Sequence, residues 1–167
     1  MNKKLVIAMT FLVMTAAFLL SSPAAHADDF TVTLTTPSQT GYLGSTLDFY
    51  GEIDADASNS DTVFLGGDSI NLDPSLGTDD SGYLLGAPFS LDPGKSYSGL
   101  LFTVTLGPGV IPGNYPGSFT IDGSDINGND IPATAYFDVS AVPEPSSLFL
   151  LAAGATGLIG TWRRKMQ

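Results

Sequence analysis

The 167-residue sequence contains no cysteine and a single histidine, His26. Without cysteine no disulfide can cross-link the fold, so a hydrophobic core has to stabilise it. His26 lies in an N-terminal segment that we expect to be cleaved off. Catalytic triads that use histidine, histidine general bases and most zinc sites are therefore excluded from the rest of the chain.

Basic residues are also scarce: the chain has six, against 17 acidic residues. Positions 28–141 hold sixteen of the acidic residues and only one basic residue, Lys95; one minus sixteen leaves a formal net charge of −15, against −11 for the whole chain. Nucleic acid and anionic lipid both require a cationic face on their partner, so we expect neither as a ligand. The charge suits a self-repelling domain outside the cell, a surface that binds cations, or both.

The N-terminus has the three parts of a secretory signal peptide. These parts are the basic residues Lys3 and Lys4, the apolar positions 5–20, and Ala25 and Ala27, which match the small-x-small cleavage pattern. We expect the secretion translocon and signal peptidase to process residues 1–27, so that the mature chain begins at Asp28. A permanent N-terminal membrane helix is the alternative, and the small residues after the apolar run disfavour it.

The C-terminus combines a Pro-Glu-Pro triplet, a short apolar run and a basic end. These elements are Pro143, Glu144 and Pro145, the apolar positions 148–162, and Arg163, Arg164 and Lys165. The apolar run rises about 22 Å as a helix, whereas a hydrocarbon core is about 30 Å thick. We expect a short transmembrane helix over positions 146–162, with the basic residues as its cytoplasmic membrane stop. A buried core helix is the alternative, because short apolar runs are ambiguous.

These three parts, in this order, resemble the PEP-CTERM sorting signal of Gram-negative, exopolysaccharide-producing bacteria. The resemblance covers residues 142–167 and implies that an exosortase, a membrane-embedded cysteine protease or transpeptidase, recognises Pro143, Glu144 and Pro145 and cleaves nearby. It also implies an exported protein. Its C-terminal helix would hold it in the inner membrane before processing, and the product would then reside at the cell surface or outside the cell.

The stretch between the two ends, residues 28–141, reads as one all-β domain. Apolar and polar residues alternate in short runs, which is typical of strands with one buried face. Clusters of Gly, Pro, Asn and Asp separate the runs and predict turns. About seven short strands with regular turns indicate a two-sheet sandwich. The runs lie at positions 30–34, 47–53, 63–65, 100–106, 115–121 and 135–139.

Two local patterns resemble bacterial immunoglobulin-like domains: Leu91-Asp92-Pro93-Gly94 before one strand and Gly113-Asn114-Tyr115 at the start of another. The resemblance implies a single immunoglobulin-like antiparallel β-sandwich, flanked by the signal helix and the short transmembrane helix. Tyr115 would then form a tyrosine corner, in which the hydroxyl binds backbone upstream. A plain core or interface aromatic is the alternative for this residue.

Two loops are rich in oxygen ligands of the kind that calcium prefers. Their candidate ligands are Asp54, Asp56 and Asp61 in the first loop, and Asp125, Asn127 and Asp130 in the second. The first loop resembles the start of an EF-hand, but it lacks the required glycine and the final bidentate acid and lies between strands. We predict no obligatory cofactor, with Ca²⁺ as the one candidate. The alternative is that these residues cap turns.

Carbohydrate binding and catalysis are the other functions considered. Sugar platforms need exposed aromatics; residues 28–141 have no tryptophan, which leaves Tyr42, Tyr50, Tyr83 and Tyr97 as candidates. Asp79 and Asp80 form the nearest approach to a glycosidase pair, but adjacent residues of a strand point to opposite faces. We predict no catalytic residue and no enzyme activity.

The sequence as a whole therefore predicts a secreted or surface-anchored, non-enzymatic protein that an exosortase processes. Its expected role is structural or adhesive, in the cell envelope or the exopolysaccharide matrix, with extracellular polysaccharide or surface proteins as partners. The alternative is a carbohydrate-binding module for secreted polysaccharide, with or without calcium.

Overall fold

The computed structural model of the chain describes residues 28–143, and these form nine β-strands and one short helix. The strands are β1 (Phe30–Leu34), β2 (Ser38–Tyr42), β3 (Thr46–Ala55), β4 (Val63–Asn71), β5 (Gly77–Asp79), β6 (Ser90–Leu91), β7 (Ser96–Thr105), β8 (Gly113–Ser124) and β9 (Ala133–Val142). Helix α1 (Ser81–Gly86) lies between β5 and β6. The predicted signal helix and transmembrane helix fall outside the described residues.

The strands form two sheets, a four-stranded sheet in the order β1-β3-β7-β5 and a five-stranded sheet in the order β2-β9-β8-β4-β6. This arrangement matches the two layers of an immunoglobulin-like sandwich, so the predicted all-β fold class is confirmed. The expectation of purely antiparallel pairing is wrong at one place, because β2 runs parallel to β9. Only three residues, at positions 35–37, separate β1 in one sheet from β2 in the other.

The core lies between the sheets and is centred on four phenylalanines. Phe49 and Phe102 come from the four-stranded sheet, and their rings stack at a centroid distance of 4.7 Å. Phe119 and Phe137 come from the five-stranded sheet and lie 4.9 Å from the Phe102 ring. Phe49, Phe119 and Phe137 alternate with outward-facing neighbours, so the period-two pattern that predicted the strands also places them in the core. Phe102 departs from this pattern, because Leu101 beside it is also buried where the register of β3 and β7 shifts.

Three of the strands are absent from the sequence prediction. Strand β2 has one buried residue, Gly41, and strand β5 has none. Strand β6 is only two residues long. None of the three has a run of alternating apolar residues, so pairing with β9, β7 and β4 defines them rather than their own pattern.

Helix α1 is an element that the prediction of an all-β domain did not include. Tyr83 is its one buried residue, and it packs edge-on against Phe119 at a centroid distance of 5.9 Å. Gly82 approaches the backbone of β7 so closely that a Cβ would lie 2.9 Å from the Leu100 carbonyl oxygen. The helix therefore forms because one aromatic side chain closes the side of the core, not because of local helical periodicity.

Candidate functional site

The predicted Pro-Glu-Pro element of the sorting signal directly follows the last strand of the domain. Pro143 is exposed and directly follows β9. The end of β9 is fixed on both sides: Ala141 pairs with Gly113 of β8, and the Leu43 amide donates a hydrogen bond to the Val142 carbonyl oxygen, 3.2 Å away. No helix within residues 28–143 is long and apolar enough to span a membrane. The remaining predicted residues of the two ends lie outside the described residues: Ala25, Ala27, Glu144, Pro145, Arg163, Arg164 and Lys165.

At the other end, the first described residues are tied to the β3–β4 loop. The Asp29 amide donates to Asn59 Oδ1 at 2.9 Å, and Asn59 Nδ2 donates to the Asp29 carbonyl oxygen at 2.7 Å. The Ser60 amide donates to the carboxylate of Asp28 at 2.7 Å. Asp28 and Asn59 are both buried, so these bonds are shielded from water and hold the start of β1 in place.

The first calcium candidate is a structured turn in this same loop. Asp56 Oδ1 accepts hydrogen bonds from the backbone amide and the hydroxyl of Ser58, both at 2.7 Å. Asp54 lies on β3 with its side chain in solvent, and Asp61 is exposed two residues before β4. The loop thus uses Asp56 for turn chemistry of the Asx type.

The second calcium candidate has the same character. Asp125 Oδ1 accepts from the amides of Asn127 and Asn129, and Asp125 Oδ2 accepts from Asn129 Nδ2 at 2.7 Å. These hydrogen bonds, with those from Asn129 foremost, lower the pKa of Asp125. Asp130 is exposed and borders a separate groove with Asp122. Among residues 28–143, no three acidic side chains converge as a metal site requires.

A larger groove of about 610 Å³ lies on the five-stranded sheet, toward the end from which the sorting signal leaves. The end of β4 and the start of β8 form its floor, and Tyr136 of β9 forms one wall. Its lining combines polar side chains, two tyrosines and the apolar residues Leu72 and Pro116, without a basic residue. The residues that line it are Asn71, Leu72, Asp73, Asn114, Tyr115, Pro116, Gly117, Ser118 and Tyr136.

Strand register places a row of side chains across this face. Tyr136 lies opposite Ser118, and Ser118 lies opposite Asn71, so the three share the outer side of β9, β8 and β4. Beside this row, Asn114 Nδ2 donates to Asp138 Oδ1 and Ser140 Oγ donates to Asn114 Oδ1, both at 3.2 Å. The amide and the carboxylate are therefore held in fixed orientations on the outer face.

The exposed aromatics differ in part from those that the sequence singled out. Tyr136 is the most exposed tyrosine, with 78% of its surface in solvent, and the sequence analysis did not select it. The signal was present, because Ala135 and Phe137 alternate with it and point inward. Of the selected residues, Tyr42 and Tyr50 are half exposed, at 51% and 52%, Tyr97 is half-buried and Tyr83 is buried.

Asp68 is a second feature that the sequence analysis did not select. A bulge at Gly66 and Gly67 shifts the register of β4 so that Asp68 lies opposite the buried Ile121 and faces inward. Its Oδ2 atom is buried and has no hydrogen-bond partner. Burial raises the pKa of Asp68 to about 6, and the nearby carboxylates of Asp80 and Asp122 add to the rise.

The surroundings of Asp68 do not form a substrate site. The Tyr83 hydroxyl donates to the Gly66 carbonyl oxygen at 2.7 Å, and burial, with the charges of Asp68 and Asp122, raises the pKa of Tyr83 to about 12. The adjoining cavity is about 50 Å³, which is too small for a sugar ring, and apolar side chains line most of it. An inward-facing charge beside a bulge at an open sheet edge is a known protection against edge-to-edge strand pairing.

The carboxylates Asp79 and Asp80 are not arranged as a catalytic pair. Asp79 ends β5, and its Oδ1 accepts from the Ser81 amide at 2.8 Å. The hydrogen bond from the Ser81 side chain, followed by that from the Ser81 amide, lowers the pKa of Asp79. Asp80 occupies the position before α1, outside any strand. The two acids thus serve the connection from β5 to α1.

Comparison with known proteins identifies one feature of the chain. Residues 141–165 match the PEP-CTERM protein-sorting motif, so the resemblance of the C-terminus is confirmed. A search of curated proteins found no matching relative.

Among solved structures, the chain is similar to the ASH/PapD-like domain of human CEP192 (PapD-like domain 7). The identity is 14% and the TM-score 0.40, over 74% of this chain and 92% of that chain. It is also similar to domains 4 and 5 of the S-layer protein SbsC, with 16% identity and a TM-score of 0.37, over 70% of this chain and 54% of that chain. Because both TM-scores are low, the assignment of the architecture is based on the strand order described above.

Proposed function

We propose that this chain is a non-enzymatic module that is exported, processed by an exosortase and displayed at the cell surface or in the exopolysaccharide matrix, where its role is structural or adhesive. The observation that carries the proposal is the overlap of signal and domain. The sorting motif match begins at residue 141, which is inside β9. The signal therefore delivers this sandwich directly, without an intervening linker.

The place where the sorting signal joins the domain suits a module that carries mechanical load. A connection at Val142 pulls along β9, and β9 lies between β2 and β8 in the interior of its sheet. Displacing β9 then requires the hydrogen bonds to both neighbours to break, whereas a strand at the edge of the sheet is held by one neighbour. Inward-facing Val139 and Ala141, both buried, add packing that resists the same movement.

The surface charge also supports display outside the cell. With one lysine among sixteen acidic residues in 28–141, copies of the domain repel one another and stay dispersed. Strand β6 pairs with β4 only at Val63 and Phe64, and inward-facing Asp68 with the bulge beside it protects the rest of that edge from pairing with another chain. Both features suit a module that is present at high local density.

Mass spectrometry of the C-terminus, on protein purified from its own cells, tests the processing step. We expect a terminus at or near Pro143–Pro145, and a chain that still ends at Gln167 would overturn the proposal. A variant with Pro143, Glu144 and Pro145 replaced by alanine should keep Gln167. The matched control Pro108→Ala, in an exposed turn, should be processed like the wild type.

A second function is supported by the groove beside Tyr136, namely recognition of polysaccharide secreted by the same cell. Aromatic and amide side chains on a concave, uncrowded face are the groups that small-molecule and sugar sites use. Specific retention of the exported protein on a glycan array would support this function. Repeating the array with calcium and with a chelator tests calcium dependence, because only a calcium-dependent module loses retention in the chelator.

A further inference from the structure

We infer that the outer face of the five-stranded sheet binds an uncharged polysaccharide, with Tyr136 as the ring on which a pyranose stacks. This inference rests on the second function proposed above and assigns it a site and a ligand class. The site has Tyr136 at its centre, with Ser118 and Asn71 in the row beside it. It also includes three hydrogen-bonded residues that we call the polar ladder: Asn114, Asp138 and Ser140.

Tyr136 has the properties of a stacking platform. Its side chain is 78% exposed on β9, although the same strand buries Ala135 and Phe137. Its cross-strand neighbour Ser118 is too small to cover the ring. An aromatic face attracts the C–H groups of a pyranose through dispersion and through the negative charge of the ring face, so an open tyrosine on a polar surface is a binding group for sugars.

The polar ladder supplies the hydrogen bonds that a sugar needs. Sugar hydroxyls donate and accept, and Asn114 offers both kinds of group while Asp138 accepts. The bonds from Asn114 to Asp138 and from Ser140 to Asn114 fix the planes of these side chains before any ligand arrives. Binding then costs less side-chain entropy than it would with free side chains.

The length of the face suits a chain rather than a single sugar. Tyr42 of β2 lies opposite Val142, six residues beyond Tyr136 along β9, and both tyrosines are on the outer side of the sheet. At about 3.3 Å per residue, the two rings are separated by about 20 Å. The polar ladder lies between them, so a linear polysaccharide along β9 would meet an aromatic ring at each end.

Charge decides between the classes of polysaccharide. Asp73 and Asp138 border the face, and the lining of the groove includes no lysine or arginine. A uronate or sulfate group would have to approach these carboxylates without a cation to balance it, which Coulomb repulsion disfavours. An anionic polymer is therefore disfavoured, and the hydrogen-bonding groups of the polar ladder suit the hydroxyls of an uncharged polymer of pyranoses.

Affinity gel electrophoresis of the exported protein tests the inference. The gels contain hydroxyethylcellulose, galactomannan or dextran as uncharged probes, or alginate as an anionic probe. We expect slower migration in at least one uncharged gel and none in alginate. Tyr136→Ala should weaken this retention at least tenfold, and Tyr136→Phe, which keeps the ring, should retain most of it.

Tyr50→Ala is the matched control, because Tyr50 is an exposed strand tyrosine on the outer side of the other sheet. It should migrate like the wild type, and unchanged thermal unfolding should confirm that each variant is folded. If Tyr50→Ala abolishes retention and Tyr136→Ala does not, the site is wrong and the carbohydrate function stands. Retention in alginate alone overturns the ligand class. If no gel retains the wild type, both the site and the carbohydrate function are wrong, and a protein partner in a structural role remains.

Discussion

The hydroxyl of Tyr115 donates a hydrogen bond to the backbone carbonyl oxygen of Ile111, 2.5 Å away and four residues upstream. Tyr115 stands near the start of β8, at the corner where the chain leaves β7 and enters the other sheet. The bond is the tyrosine corner that the Gly113-Asn114-Tyr115 pattern predicted. It closes the loop that carries the chain between the two sheets.

The first prediction follows from this bond. Tyr115→Phe keeps the ring and removes the hydroxyl, which leaves the Ile111 carbonyl oxygen without this donor. We expect the free energy of unfolding to fall by about 1–2 kcal/mol. Urea unfolding of the purified protein measures the change, with Tyr50→Phe on the exposed face of β3 as the control. Equal stability of the two variants would show that the corner bond has no net effect.

The two glycines of the β4 bulge form a matched pair. A Cβ on Gly66 would lie 2.4 Å from the backbone carbonyl oxygen of Asp122, whereas a Cβ on Gly67 would meet nothing within 4 Å. Gly66→Ala should therefore lower the free energy of unfolding by about 1–3 kcal/mol, because the backbone has to move to make room for the Cβ. Gly67→Ala should change stability by about 0.5 kcal/mol or less. Thermal unfolding of both variants would contradict this account if Gly67→Ala proved the more damaging.

Asp68 predicts a loss of stability as the pH rises. Its pKa is about 6 in the folded protein against 3.8 for an ordinary aspartate, so the folded state holds the proton more tightly than the unfolded state does. The stabilising contribution of the protonated carboxyl is complete below about pH 4 and is lost as the pH rises through 6. Asp68→Asn, which stays uncharged, should remove this loss. After allowance for solvent screening, we expect a gain of about 1–2 kcal/mol at pH 7.5 relative to the wild type.

Unfolding measured from pH 4 to pH 8 provides the test for Asp68. The difference in stability between Asp68→Asn and the wild type should grow across this range. Asp54→Asn, a substitution on the exposed side of β3, is the control for the removal of one negative charge. A constant difference across the pH range would mean that the carboxyl titrates alike in the folded and unfolded states.

Calcium is expected to bind weakly or not at all. Both carboxylate oxygens of Asp125, and Oδ1 of Asp56, already accept hydrogen bonds within their own turns, which leaves these carboxylates fewer lone pairs for a metal ion. Titration calorimetry with millimolar CaCl₂ should give no saturable heat. A saturable signal that Asp125→Ala abolishes would overturn this expectation and place calcium in the β8–β9 loop.

Sequence reasoning located the six strands with a clear apolar alternation, and with them the all-β class and the two-sheet sandwich. It underestimated most of their lengths, because a strand continues as long as its neighbour offers hydrogen bonds. Strand β4 was predicted at 63–65 and extends to Asn71 through a bulge with no apolar pattern. Strands β2, β5 and β6 were missed because they are polar or very short, so that only pairing with a neighbour defines them.

The candidate site, like the strands, could be predicted where a local pattern determines it and not where strand pairing does. The alternation around Tyr136 is enough to place its ring in solvent, and the oxygen-rich loops could be recognised as turns. The groove could not be predicted, since it joins residues near positions 71, 116 and 136 that only the register of β4, β8 and β9 brings together. Asp68 would have been assigned to solvent without knowledge of the bulge that turns it inward.

By itself, the sequence determined the route and the class of this protein: the sorting motif at residues 141–165, an acidic domain without disulfides, and strands with a buried face. These properties are local, because they depend on composition and on a period of two along the chain. Tertiary structure alone decided that β9, which leads into the sorting motif, lies inside its sheet, that Tyr136 lies beside the polar ladder, and that Asp68 points inward. Each depends on which strands pair and in what register, and cross-strand hydrogen bonds between residues far apart in the chain set that pairing.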